Sequence, residues 1–170
     1  MYHSAVSPAK TLYLNGTTAA ETYAAAYNDT AATSSVFSVG SAAATNSGNM
    51  LAYCFASVEG YSEFGSYTGN GSADGPFVYT GFRPAFLLWK RSNGAANWYI
   101  YDSARNTYNV VNNNLEPNTS DAENTLTSMN VDFTSNGFKI RGSDGDINAS
   151  SGNYVYAAFA ENSFKITRAR

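Results

Sequence analysis

The segment Asp144-Gly145-Asp146-Ile147-Asn148 has the spacing of oxygen-bearing side chains most suited to a metal ion. Asp144, Asp146 and Asn148 alternate with other residues, and Ca²⁺-binding loops supply alternating carboxylate and amide oxygens in this way. The twelve-residue loop ending in Glu is absent, so the preferred interpretation is a tight Asp-Gly turn that joins two strands. A calcium site at Asp144, Asp146 and Asn148 remains the alternative.

The groups that could perform catalysis are few, and their positions argue against an active site. Glu59 and Glu63 flank a linker-like Gly-Tyr-Ser segment, where solvated charges are a simpler explanation than the facing carboxyl pair of a glycosidase. The single histidine, His3, lies at a chain end that is expected to fray. The single cysteine, Cys54, lies in an apolar run and is predicted to be a packed, inert thiol. We predict no enzymatic activity, no catalytic residue and no cofactor.

Tyrosine, asparagine and serine are abundant, and this composition suits a binding surface. Tyrosine offers a wide, rigid contact area, and asparagine and serine offer adaptable hydrogen bonds. Aromatic faces beside amides and hydroxyls would fit a sugar ring. Because part of the thirteen tyrosines and other aromatics must form the core, only a subset can be exposed. The predicted exposed binding residues are Tyr67, Tyr79, Trp89, Trp98, Tyr108, Asn112, Asn113 and Asn114.

Composition restricts the class of protein further. The 170 residues are 44% hydrophobic and 15% aromatic, which is enough to bury a core in one domain or two small ones. No apolar run approaches the roughly 18 residues of a membrane helix, so membrane insertion is not expected. The net charge of −3 argues against nucleic-acid binding, which favours a basic face.

An internal repeat runs through the chain. Five pairs of short segments match in the same order, and the offset between partners drifts only from 99 to 104 residues. The matched segments are 2–5 with 101–104, 14 and 17–21 with 115 and 119–123, 33–37 with 134–138, 47–49 with 151–153, and 53–56 with 157–160. Such collinear matches predict a duplicated structural unit.

The repeat is incomplete in its first copy. Residues 61–99 precede the second Tyr-x-Ser-Ala segment, but nothing equivalent precedes the first. We therefore predict a partial N-terminal repeat at residues 1–60, a complete repeat at 61–165 and a C-terminal tail at 166–170. Either the sequence belongs to a longer array, or the front strands of the second unit serve both halves.

The local patterns predict short strands separated by turns. Residues 77–90 read as two strands with a kink near Gly81 and Pro84, and residues 98–101 as another. The runs 131–134 and 138–141 read as a hairpin whose Asn136-Gly137 pair supplies a positive φ. Alternation predicts that one face of the matched runs 51–55 and 155–159 is core. The residues predicted to point inward are Leu51, Tyr53, Phe55, Val155, Ala157 and Phe159.

A helix is predicted only at residues 19–27, and its counterpart at 121–126 is at most a helical turn. Many short strands with Gly, Asn and Ser turns favour an all-β fold. The predicted architecture is an antiparallel β-sandwich, similar to a jelly roll, that is internally duplicated.

Residues 61–164 also carry a recognisable set of motifs. They include Tyr67-Thr68-Gly69-Asn70-Gly71-Ser72, Gly81-Phe82-Arg83-Pro84, Tyr101-Asp102-Ser103-Ala104-Arg105, Ser135-Asn136-Gly137-Phe138-Lys139 and Ala158-Phe159-Ala160-Glu161. This pattern resembles the uncharacterised C-terminal repeat domain of marine bacteriophage tail-associated and other virion proteins. Ser163 stands where that pattern usually has Pro. The resemblance implies a phage virion setting, with host-surface attachment or structural repetition, and it supplies no catalytic residues.

Two functions follow as expectations. The first is a non-enzymatic, tail-associated virion module that binds a host-surface glycan, and the second is a purely structural repeat without a ligand of its own. A binding module should show exposed aromatics beside polar groups, whereas a structural repeat should show a long apolar patch or an open sheet edge. In either case we expect self-association or contact with other parts of a longer virion protein.

Overall fold

A computed structural model of the chain describes residues 1–161, and most of its regular structure is antiparallel β-strand. The strands are β1 Lys10–Thr11, β2 Glu21–Thr22, β3 Ser62–Thr68, β4 Phe77–Tyr79, β5 Pro84–Arg91, β6 Trp98–Asp102, β7 Asn113–Asn114, β8 Asn124–Thr125, β9 Val131–Thr134, β10 Gly137–Ile140 and β11 Asn153–Ala160. The helical turns are α1 Ala24–Tyr27, a 3₁₀ turn at Thr127–Met129, and α2 Gly145–Asn148. The predicted tail at residues 166–170 lies outside the described residues.

Two antiparallel sheets form a β-sandwich in the second part of the chain. The larger sheet has the strand order β3-β11-β5-β6, and the smaller sheet has the order β4-β10-β9. Strand β11 lies between β3 and β5, with Tyr156 opposite Gly65 on one side and Trp89 on the other. The expected all-β sandwich is therefore confirmed.

The main core fills the space between the two sheets. Successive side chains on a strand point to opposite faces, so each sheet contributes one residue in two. The larger sheet contributes Tyr67, Leu87, Trp89, Tyr99, Tyr101, Tyr154, Tyr156 and Ala158, and the smaller sheet contributes Val78, Val131, Phe133, Phe138 and Ile140. Tyr67 stacks on Tyr154 with ring centroids 4.8 Å apart, and Trp89 packs on Tyr101 at 4.7 Å.

The inward face predicted for β11 was wrong. Tyr154, Tyr156 and Ala158 point into the main core, whereas Val155 joins a smaller cluster on the opposite face and Phe159 is only half-buried. Tyrosine can be fully buried here because its hydroxyl finds a partner, as where Tyr154 donates to the Gly145 carbonyl at 2.7 Å.

Residues 1–27 pack against the outer face of the larger sheet. Leu12, Trp98 and Val155 form a small buried cluster there. The Trp98 Nε1–H donates to the Tyr13 carbonyl at 2.8 Å, and the Lys90 ammonium donates to the Thr17 carbonyl at 3.0 Å. The larger sheet is therefore covered on both faces over part of its area.

Residues 28–57 contain no helix or strand. The strand predicted there, with Leu51, Tyr53 and Phe55 pointing into a core, is not formed. All three side chains are exposed, as are Val36, Phe37, Val39 and Met50. A strand is stable only when its backbone groups have partners in a sheet, and no strand of the described residues pairs with this segment.

Two local contacts recur in both halves of the chain. The pair Lys10 opposite Thr22 recurs as Asn113 opposite Thr125, both shifted by 103 residues. The Asn46 side chain donates to the Gly40 carbonyl at 2.9 Å, and Asn148 donates to the Gly142 carbonyl at the same distance. Both recurrences lie close to the offset of the sequence repeat, and the internal duplication itself stays a prediction.

Both of these glycines are required by a close backbone approach. A Cβ on Gly40 would lie 2.0 Å from the Ala25 carbonyl oxygen, and a Cβ on Gly142 would lie 2.0 Å from that of Ser128.

The helix predicted at residues 19–27 shortens to Ala24–Tyr27, because Glu21–Thr22 pairs with β1 instead. No helix within residues 1–161 is long and apolar enough to cross a bilayer.

Candidate functional site

The outer face of the smaller sheet exposes two aromatic side chains of the sandwich to solvent. In β4, Val78 is buried in the core while Phe77 and Tyr79 point outward. Tyr79 is 67% exposed and Phe77 is 48% exposed. Because the two residues are separated by one position on the same strand, their rings lie on the same face.

Strand register places polar groups in line with both rings. Tyr79 is paired with Gly137, which is paired with Thr134 on the next strand. Phe77 lies in the neighbouring row with Lys139 and Asp132. The face thus has aromatic rings along one edge and hydroxyl, ammonium and carboxylate groups across its middle and opposite edge.

Gly137 shapes this face. A Cβ on Gly137 would lie 2.1 Å from the Val78 carbonyl oxygen and 3.0 Å from the Phe77 ring. The predicted positive φ at Asn136-Gly137 was wrong, because neither residue has one. Gly137 belongs to β10, and the Thr134 hydroxyl closes the turn by donating to the Gly137 carbonyl at 2.9 Å. The glycine is required by the close approach of β4, not by the turn.

The charged groups on the face neutralise one another. The Lys139 ammonium lies 2.7 Å from an Asp74 carboxylate oxygen, and Arg141 Nε lies 2.8 Å from an Asp132 oxygen. The hydrogen bond from Lys139 and its charge lower the pKa of Asp74. A face with paired charges and exposed rings suits a neutral, hydroxyl-rich ligand better than a strongly charged one.

A second exposed tyrosine lies beyond the other edge of the sheet. Asn109 exchanges hydrogen bonds of 2.9 and 3.0 Å with the Phe133 backbone, and Val111 forms a bridge with Val131. These contacts hold the segment that follows Tyr108 beside β9. Tyr108 is 83% exposed. With about 4.8 Å between neighbouring strands, the backbones carrying Tyr79 and Tyr108 are roughly 14 Å apart.

Three predicted binding aromatics are not at the surface. Trp89 and Tyr67 lie in the main core, and Tyr67 donates its hydroxyl to the Ile147 carbonyl at 2.8 Å. Burial raises the pKa of Tyr67 well above its ordinary value. Trp98 lies between the larger sheet and residues 1–27. Their assignment to the exposed set was wrong, because composition does not tell which side of a strand faces the core.

The asparagine tract belongs to the β7–β8 pair and does not form an open binding edge. Asn114 is fully buried, and the expectation that it is exposed was wrong. Asn112 and Asn113 are half-buried, and both backbone N–H groups donate to the Asn106 side chain. The Asn113 side chain accepts a hydrogen bond from Thr125 at 2.8 Å. The Asn113 side chain and the backbone N–H groups of Asn112 and Asn113 are engaged in structural contacts.

The calcium candidate is a helical turn rather than an open loop. Asp144 caps α2 by accepting from the Asp146 N–H at 2.9 Å, Asp146 accepts from the Tyr99 hydroxyl at 2.7 Å, and Asn148 is fully buried. Side-chain oxygens of all three residues accept hydrogen bonds from protein donors, since Asn148 Oδ1 accepts from the Asn70 N–H. Within residues 1–161 no group of three or more His, Cys, Asp or Glu side chains is placed to hold a metal ion.

A polar cluster that the sequence did not reveal surrounds Tyr99. The Tyr99 hydroxyl bonds Asp146, the Asn97 amide donates to Glu116, and Asn118 donates to Asn97 at 2.9 Å. Burial, reinforced by nearby acidic groups, raises the pKa of Glu116. The residues come from distant segments, so no spacing in the sequence could indicate the cluster. Its carboxylates are occupied by protein donors, which favours a structural role.

The remaining sequence candidates are dispersed. Cys54 is exposed, so the predicted packed thiol was wrong. His3 is half-buried, with Nε2 lying 3.4 Å from the Tyr156 carbonyl oxygen, instead of fraying, and burial lowers its pKa. Glu59 is exposed and Glu63 half-buried near the start of β3. A polar cleft of about 610 Å³ separates residues 5–10 from one end of the larger sheet.

The fold and this face define an all-β sandwich with a solvent-exposed aromatic sheet. Residues 1–163 match the family described as a domain of unknown function (DUF7483), and the chain belongs to that family. No curated protein and no solved structure matches the chain.

Proposed function

We propose that the chain is a non-enzymatic module of a phage virion protein, associated with the tail, and that it binds a host-surface glycan through the outer face of the β4-β10-β9 sheet. The observation that carries the binding role is the exposed pair Phe77 and Tyr79 in register with polar groups on β9 and β10. The virion setting is drawn from the resemblance of residues 61–164 to tail-associated repeat domains.

The chemistry of the face fits a sugar. An aromatic ring can cover the apolar C–H face of a pyranose, while neighbouring polar groups hydrogen-bond to its hydroxyls. Thr134, Lys139 and Asp132 lie within one or two strand spacings of the rings. A rigid sheet holds these groups in fixed positions, so little conformational freedom is lost on binding.

A glycan array probed with the labelled chain tests this proposal. We expect saturable binding to at least one glycan, reduced about tenfold or more in Tyr79→Ala, since an exposed aromatic anchor contributes on the order of 1.4 kcal/mol or more. Tyr53→Ala is the matched control, because Tyr53 is 79% exposed and lies outside the sheet. Absence of binding by the folded chain, or equal losses in both variants, would contradict the proposal.

A second candidate function is structural repetition within a virion protein. It is favoured by the exposed apolar side chains of residues 28–57, because exposed apolar surface is expected of a repeat that needs a partner. The two functions are compatible, because the aromatic sheet face and the apolar segment lie on different parts of the chain.

A further inference from the structure

Several buried positions in the second half of the chain correspond to exposed positions in the first half. Phe138 and Ile140 are fully buried, whereas their counterparts Phe37 and Val39 are 47% and 46% exposed. The same contrast holds further along the repeat. Tyr154 and Ala158 are fully buried, and their counterparts Met50 and Cys54 are exposed.

The covering residues of the second half come from strands that the first half lacks. Tyr67 of β3, Val78 of β4, and Leu87 and Trp89 of β5 pack on the buried positions of the second half. These strands lie within residues 61–99, which have no equivalent in residues 1–60. The exposed positions in the first half are thus core positions without their cover.

The uncovered positions border a large cleft. Its volume is about 1370 Å³, and it lies between residues 1–56 and the outer face of the larger sheet. The apolar side chains around it include Phe37, Val39, Met50, Phe55, Phe86 and Leu88. A cleft of this size and apolar character matches an unfilled protein core better than a sugar site, which needs convergent polar groups.

We propose that this cleft is the core of an incomplete sandwich unit and that it is closed by a polypeptide segment with the strand pattern of residues 61–99, contributed by a further repeat of this family. In the complete unit β11 is paired on both sides, by β3 and by β5. The matching residues 49–56 have neither neighbour. The incoming segment supplies both strands and the apolar side chains that fill the cleft.

Strand pairing favours this occupant over a second intact copy of the chain. In an intact copy the strands β3 and β5 are already paired with that copy's own β11. They cannot cover residues 49–56 of a neighbour without leaving their own core open. The proposal does not depend on glycan recognition, which uses Phe77 and Tyr79 on another sheet.

The test is a chain extended at its N-terminus by a second copy of the front strands of its complete repeat. A second copy of residues 61–99 is fused directly before Met1, because the repeat offset of 99 makes Met1 equivalent to Ile100. The added segment contains no cysteine, so Cys54 remains the single thiol. We expect its alkylation by a maleimide to slow about 100-fold or more, as burial within a sheet blocks access.

A cysteine in the added segment tests the strand register. Leu87 is the cross-strand partner of Ala158, the counterpart of Cys54, whereas Leu88 is the partner of Ala157 on the opposite face. Leu87→Cys in the added segment should therefore form a disulfide with Cys54, and Leu88→Cys should not. A fusion carrying Leu87→Asp and Trp89→Asp in the added segment should leave Cys54 reactive.

A second arm covers the case in which the fusion does not fold. A synthetic peptide of residues 61–99 is added to the unmodified chain, and the same protection of Cys54 is expected. A folded fusion with a fully reactive Cys54, or a lack of protection in both arms, would overturn the proposal. So would an unmodified chain that dimerises and protects Cys54 by itself, since the cleft would then be an interface between copies.

Discussion

At the scale of single residues, one buried amide joins three segments of the sandwich. The Asn148 Nδ2 group lies 2.6 Å from the Ser72 carbonyl oxygen and 2.9 Å from that of Gly142, and its Oδ1 accepts from the Asn70 N–H at 2.8 Å. The side chain therefore anchors the glycine-rich loop before β4 to the turn before β11. Its counterpart Asn46 makes the single equivalent bond to Gly40 and is exposed.

This difference predicts unequal costs for two chemically identical substitutions. Asn148→Ala leaves buried carbonyls and an N–H without partners, so we expect the free energy of unfolding to fall by about 2–4 kcal/mol. Asn46→Ala should cost less than about 1 kcal/mol, because water replaces the lost bond. Urea denaturation of both variants measures the difference, and equal costs would count against the assigned burial.

Lys90 gives the fold a pH dependence with a definite sign. Its side chain is fully buried and donates to the Thr17 and Ala96 carbonyls, and burial lowers the pKa of Lys90 to about 8 from an ordinary value of 10.5. Between these values the unfolded chain binds more protons than the folded one, so stability rises with pH. Above about pH 10 it falls, because burial raises the pKa of Tyr156 to about 12.

The variant Lys90→Met tests that sign. The rise in unfolding free energy between about pH 8 and 9.5 should disappear in Lys90→Met, since the titrating group is gone. It should persist in Lys10→Met, because Lys10 is exposed. Thermal unfolding measured across this pH range checks the expectation, which fails if all three chains show the same slope.

At the scale of elements, the association of β4 with β10 depends on the absence of a side chain at Gly137. Gly137→Val places atoms where the Val78 carbonyl and the Phe77 ring lie. We expect it to cost about 2 kcal/mol or more and to displace the exposed ring of Phe77 from the sheet face. The neighbouring exposed turn variant Ser135→Ala should stay within about 0.5 kcal/mol of the parent chain. A Gly137→Val chain as stable as Ser135→Ala would contradict the role of this glycine.

Six of the seven strands of the sandwich were predictable from the sequence, whereas β3 and the short pairs β1–β2 and β7–β8 were missed although they have partners within the chain. Alternation and turn residues located β4, β5, β6, β9, β10 and β11 to within one or two positions. The same alternation at Leu51 and Phe55 predicted a strand that is not formed, because local pattern does not reveal whether a neighbouring strand is available. Segment type follows from local pattern, whereas pairing depends on the rest of the sheet.

The candidate site was only partly predictable for a related reason. Tyr79 and Tyr108 were correctly placed at the surface, but Trp89 and Trp98 were not, since both sides of a covered strand carry large apolar residues. Phe77 was absent from the predicted binding residues, because an aromatic side chain in a strand is usually expected to lie in the core. Its exposure follows from its position on the outer face of the smaller sheet, opposite to the buried Val78, which no local pattern encodes.

At the scale of the whole molecule, the chain combines one complete sandwich with residues 28–57, whose apolar side chains are exposed where their counterparts in the sandwich are buried. Within residues 1–161 the complete sandwich buries its core between two sheets, and residues 28–57 form no strand. This asymmetry accounts for the exposed apolar side chains of the first half. The outer face that carries Phe77 and Tyr79 belongs to the complete sandwich.

Hydrogen–deuterium exchange on the unmodified chain tests this asymmetry most directly. The two segments to compare are residues 153–160 and their counterparts 49–56, which are similar in sequence but differ in pairing. We predict that amides in 153–160 exchange at least about 100-fold more slowly than those in 49–56, because only the former are bonded within a sheet. Equal protection of the two segments would show that residues 49–56 are paired in solution and would contradict this account.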